Sequence, residues 1–207
     1  RVRASGRQIT RIYYLQTISR WADMKEQVER AGRGDRWLST GGVKGFVDGS
    51  LGSHTAAFLE PYTDLPTDTG LFVNSEQDLY TWVSAADKAG LQVAIHAIGD
   101  RAINTLLNIY ERVAAENGDR DRRFRIEHSQ HIAPADIERY GKLKVIASMQ
   151  PYHAIDDGRW AEEYIGPERA KTTYAFRSLL DSGATLAFGS DWFVAPATPL
   201  EGIYAAA

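Results

Sequence analysis

The chain has 207 residues, 43% of them hydrophobic and 25% charged, the make-up of a globular protein with one sizeable core. A formal charge of −3 argues against a nucleic-acid surface, which needs clustered Lys and Arg. With no cysteine, disulfides and thiolate chemistry are excluded, so a bound metal must rely on His, carboxylates or a less usual ligand.

Residues 1–10 lack the apolar stretch of a signal peptide, and no apolar run approaches the length of about 18 residues that spans a bilayer. The absence of cysteine fits a reducing compartment, and a cytoplasmic location is the expectation. A strand candidate at residues 12–15 is followed by a helix around residues 21–30 and a second strand at residues 43–47. Residues 50–74 carry Pro61 and Pro66 and read as a long irregular loop, a cover or specificity element with Phe58, Tyr62 and Phe72. Ser75 and Asp78 then signal a helix start, and Leu79, Trp82, Val83 and Ala86 recur at helical spacing up to a stop at Gly90.

Next comes the strand 91–95, ending at His96, and a helix from Arg101 to about Glu116. The basic stretch from Arg120 to Arg125, interrupted by Asp121, reads as a solvated loop. A strand at residues 124–127 ends at His128, Pro134 opens a short helix, and a strand at residues 145–148 ends near Gln150. A helix after Thr172 runs through Phe176, Leu179 and Leu180 to Gly183, and the strand 184–188 leads to Asp191. Alternation of strand and helix at roughly 30 residues predicts an α/β fold, a parallel sheet of about six strands with helices outside.

The polar residues at the strand ends carry the chemistry. Strand alternation places His96 on the face of Ala94 and Gln92, while Leu91, Val93 and Ile95 face the helices. Asp191 shares its parity with the small residues Gly189 and Ala187. Two imidazoles and a carboxylate arriving from three strand ends form a plausible zinc set. Each taken alone also fits a hydrogen-bonded structural residue or a cap, and Lys44 also fits an ion pair with Asp48 on the same strand face.

Lys44-x-x-x-Asp48-Gly49-Ser50-Leu51-Gly52, His96, Glu127-His128 and Ser190-Asp191-Trp192 occur in that order. The arrangement resembles the amidohydrolase superfamily, in its YtcJ-like branch that contains N-substituted formamide deformylases, over nearly the whole chain. The resemblance implies a TIM-like (β/α)₈ barrel beside a small β-sandwich. It makes residues 1–207 an incomplete barrel domain, without strands one and two and without the sandwich. It further implies one or two divalent metals (Zn²⁺), ligated by His96, His128, Asp191 and a carboxylated Lys44. Asp191 doubles as catalytic proton shuttle. The implied reaction is metal-dependent hydrolysis of a non-peptide C–N bond in an amide or formamide, with a small-molecule substrate and neither nucleic acid nor membrane as partner. A homodimer is compatible with it.

Asp48, His54, Gln150 and Trp192 are the expected substrate contacts, although His54 stands where the branch would place an arginine. His131 and His153 read as neighbours of the site or as loop residues. No His-x-His pair occurs in the chain, which predicts weak or absent metal and no hydrolysis by these residues alone. The alternatives are an α/β ligand-binding domain without catalysis, and a deaminase or isomerase on the same barrel.

Overall fold

The computed structural model describes residues 5–207. Residues 1–4, part of the segment tested above for a signal peptide, lie outside the described residues. Six strands form one sheet: β1 (Ile12–Thr17), β2 (Leu38–Phe46), β3 (Gln92–Ala97), β4 (Arg125–His128), β5 (Ile146–Met149) and β6 (Thr185–Phe188). Every neighbouring pair is parallel and the spatial order is the sequence order, so all carboxyl ends lie on one rim, as expected. Register is continuous across the sheet: Lys44 pairs with Ala94, Ala94 with Arg125, Arg125 with Ile146 and Ile146 with Thr185.

Helices α1 (Trp21–Ala31), α2 (Glu76–Lys88), α3 (Asp100–Asn117), α4 (Pro134–Leu143) and α7 (Phe176–Asp181) fall where the periodicity predicts them. At the start of α2 the Ser75 hydroxyl accepts from the Asp78 amide at 3.1 Å, and Gly90 just beyond the helix has φ +71°. Val43, Val93, Ile95, Ile126 and Ala147 point out of the sheet and join Leu79, Val83, Ile103, Leu106, Tyr140 and Leu179 in the main core. Each such Leu or Ile contributes about 1.5–3 kcal/mol on burial. The same alternation turns Lys44, Ala94 and His96 to the opposite face.

Three further helices were not legible: α5 (Pro151–Asp157), α6 (Ala161–Ala170) and α8 (Pro199–Ala206). Both α5 and α8 open on a proline and show no amphipathic spacing, while α6 contains Gly166 in a non-helical conformation followed by Pro167. The long stretch 50–74 is irregular as expected, and its Phe58 and Tyr62 turn inward. They are fully buried with Leu51, Ala56, Ile98, Ala161 and Ile165 in a second small core.

The basic stretch departs from its reading as a solvated loop. Arg120 and Arg122 both turn inward onto Asp87 of α2, whose side chain is 0% exposed. Asn117 also donates to that carboxylate, at 2.9 Å. The sequence shows alternating charges; only packing shows that one buried acid collects two guanidinium groups. No helix among the described residues is long and apolar enough to cross a membrane.

Candidate metal centre

His96, near the end of β3, is almost fully buried, and its Nε2 lies 2.8 Å from the Gly49 carbonyl oxygen. A carbonyl only accepts, so Nε2 carries the hydrogen and Nδ1 keeps the lone pair. Asp48 sets this contact. Its carboxylate accepts from the amides of Ala57 (2.9 Å), Ile98 (3.0 Å) and Gly99 (2.9 Å), tying the segment after β2 to the turn between β3 and α3. Gly99 is required there, because a Cβ would sit 2.1 Å from the Ala57 carbonyl oxygen. Burial pushes the Asp48 carboxyl up to about 7 against those three amides, which hold it down.

His128 closes β4 in register with Ala97, whose side chain belongs to the helix-facing core. A left-handed backbone, φ +77°, interrupts the alternation at His128. Its ring stands edge-on to His96, centroids 4.5 Å apart. Its Nδ1 donates to Gln150 Oε1 at 2.8 Å, which leaves Nε2 with the lone pair. Outer partners of this kind fix the tautomer and ring orientation of metal-binding histidines. Burial depresses the imidazolium pKa of His96 to about 4, opposed by the Gly49 contact and helped by the Lys44 charge. Burial lowers that of His128 to about 2, with His96 and Lys44 adding to it. Both rings are therefore neutral at pH 7, the state that binds a metal.

Asp191 follows β6, also with a left-handed backbone at φ +57°. One ligand atom each from His128, His153 and Asp191 lies within 4.8 Å of the others. The Lys44 amine lies near enough to feel the charges of Glu127 and Asp191. Burial lowers its pKa from 10.5 to about 8; those two carboxylates oppose the shift and Arg125 adds to it. Among the described residues Lys44 has no ion pair with Asp48, and its Nζ instead sits 4.8 Å from the Phe46 ring centroid.

The structure thus sets His96 beside His128, and Asp191 beside His128 and His153. The four residues expected to contact substrate are placed as follows. Asp48 and Gln150 stand behind the histidines, their oxygens engaged as described. His54 pairs with Asp64 at 2.8 Å and packs between Tyr62 and Tyr164. Trp192 is 72% exposed beside Asp191. His131 is buried, donor or acceptor to Thr173 Oγ1 at 2.9 Å, and packs against Phe58 and Tyr174. His153 joins the centre although nothing in the strand pattern pointed to it. The one available signal was Gln150-Pro151-Tyr152-His153, a proline helix start placing a histidine within a turn of a strand end.

The residues present fit a divalent cation. Two neutral imidazoles have their outer nitrogens anchored, a carboxylate faces them, and His153 Nε2 is buried with no hydrogen-bond partner. A parallel α/β sheet with such donors on its carboxyl rim holds them where parallel α/β folds build their sites.

Comparison with known proteins names the family. The amidohydrolase family pattern matches residues 2–207. The chain is 52% identical over 190 residues to Protein LONG AFTER FAR-RED 3 of Arabidopsis thaliana, covering 91% of this chain and 32% of that protein. Putative amidohydrolase YtcJ of Bacillus subtilis is 34% identical over 206 residues, covering 98% and 37%. N-substituted formamide deformylase of Arthrobacter pascens is 26% identical over 168 residues, covering 80% and 30%. Among solved structures, an uncharacterized metal-dependent hydrolase from Pyrococcus furiosus superposes with a TM-score of 0.83 at 34% identity, covering 99% of this chain and 42% of that one. The chain belongs to the amidohydrolase family. It spans about a third of the length of the curated relatives it matches.

Proposed function

We propose that the full-length protein is a hydrolase that cleaves a non-peptide C–N bond in a small amide or N-substituted formamide, in the cytoplasm, using one or two divalent cations. The observation that carries this reading is the meeting of two histidines and a carboxylate on the carboxyl rim: the His96 and His128 rings have centroids 4.5 Å apart, and a ligand atom of Asp191 lies within 4.8 Å of one of His128. Zinc suits a donor set of neutral imidazoles and carboxylate. A cation held there supplies Lewis acidity and acidifies water.

The chain's own residues do the rest. Gly49 and Gln150 hold the two histidines so that Nδ1 of His96 and Nε2 of His128 remain free to bind. Asp191 takes the proton from the attacking water and returns it to the leaving nitrogen, general base and then general acid. Hydrolysis of N-substituted formamides, lost on chelation and restored by zinc, is the expected result for the full-length protein. Release of ammonia from a cyclic amidine, with no amide cleaved, would move the assignment to a deaminase.

Lys44 is a further participant. A neutral amine adds CO₂ by forming an N–C bond and losing a proton, which yields an anionic oxygen ligand. Because burial brings its pKa to about 8, the neutral fraction grows as pH rises through that value. With ¹³C-bicarbonate, a carbamate carbon resonance is expected that strengthens from pH 7 to 9 and is missing in Lys44→Arg. The same resonance in the variant would remove Lys44 from the centre.

A further inference from the structure

We propose that His153 is itself a metal ligand, completing with His128 and Asp191 a coordination set for one divalent cation of the zinc type. The inference rests on the metal-dependent hydrolase reading and extends it to a residue outside the strand-end pattern. His153 lies in the first turn of α5, directly after β5, and so reaches the carboxyl rim from a third element beside β4 and the segment after β6. Its ring is nearly parallel to that of His128, 7° between planes with centroids 6.3 Å apart.

Three observations favour a ligand over a packing role. His153 Nε2 is buried and has no hydrogen-bond partner, a state that costs about 1–3 kcal/mol unless something satisfies the nitrogen. Among the described residues Asp191 has no salt-bridge partner, so its carboxylate faces the imidazoles without a contacting cation. The three donor atoms lie within 4.8 Å of one another, and ligands of a tetrahedral zinc at ~2.0–2.2 Å stand roughly 3.4 Å apart. Rotation about the side-chain torsions is what would draw them together on a cation.

Two imidazoles and one carboxylate leave one tetrahedral position for water, the pattern of catalytic zinc sites. His96 and Lys44 then lie to one side of this set and can serve a second ion or the substrate. The proposal revises the expectation of weak or absent metal, which counted Lys44, His96, His128 and Asp191 and omitted His153.

The test is metal affinity and spectroscopy on the folded chain. Competition titration with Zn²⁺ is expected to show one equivalent bound, and His153→Ala to weaken it by more than ~100-fold. Loss of an outer partner, for comparison Gln150→Ala, costs ~10–100-fold. Since the chain has no cysteine, His153→Cys loaded with Co²⁺ is expected to show a thiolate-to-cobalt charge-transfer band. This variant keeps a ligand and reports coordination without requiring activity. Zinc affinity in His153→Ala within about threefold of wild type, or no such band in His153→Cys, overturns the proposal. The hydrolase reading would then still stand on His96, His128 and Asp191. A wild-type chain that holds no stoichiometric zinc also overturns the proposal, whereas the hydrolase reading falls only if the full-length protein lacks metal-dependent hydrolysis.

Discussion

Replacing Asp191 by asparagine is expected to lower kcat by at least ~10²-fold on any amide substrate of the full-length protein. General acid–base catalysis contributes typically ~10²–10⁴-fold, and a ligand role adds to the loss. Asparagine keeps the size and one oxygen donor but cannot accept and return a proton. It also tolerates the left-handed backbone at this position, φ +57°, as well as aspartate does, so the fold should be retained. Circular dichroism, metal content and kcat measured together separate the roles: intact fold, partly retained metal and a collapsed rate are expected. Hydrolysis within a few-fold of wild type would remove Asp191 as the shuttle, and His128 would be the next group to examine.

Asp87→Ala is expected to cost about 3–5 kcal/mol of stability, the usual loss when one partner of a buried ion pair is removed. Arg120 and Arg122 point at this carboxylate, and the Arg122 side chain is only 8% exposed, so truncation leaves one buried cation without its carboxylate. In a domain of this length that corresponds to roughly 10 °C in Tm. Glu138→Ala provides the contrast. Its pair with Lys142 is exposed on both sides (73% and 72%), and such pairs are worth at most about 1 kcal/mol. Urea midpoints of the two variants check the assignment, and a loss below ~1 kcal/mol for Asp87→Ala would show that the guanidinium groups find water instead.

The strands, the parallel sheet and the rim carrying His96, His128 and Asp191 were legible in the sequence because they rest on local rules. Period-two alternation, Ser75 before α2 and Gly90 after it depend on neighbours a few residues away. The motif around Lys44 and Asp48 likewise marked the family that the comparisons show.

What each polar residue does was decided only by tertiary structure. Asp48 serves three amides up to 51 positions away, and Gln150 holds His128 from 22 positions away, contacts that the sequence did not show. His128 reaches the mouth only because a left-handed residue breaks the alternation that would send it toward the helices. His153 sits in a short helix whose proline, glycine-flanked sequence carries no periodicity, and it becomes a candidate ligand only when β4, α5 and the segment after β6 meet. Local propensities fix which residues form strands and helices. Hydrogen-bond partners, burial and the meeting of donor atoms depend on contacts between distant segments, which the sheet must first assemble.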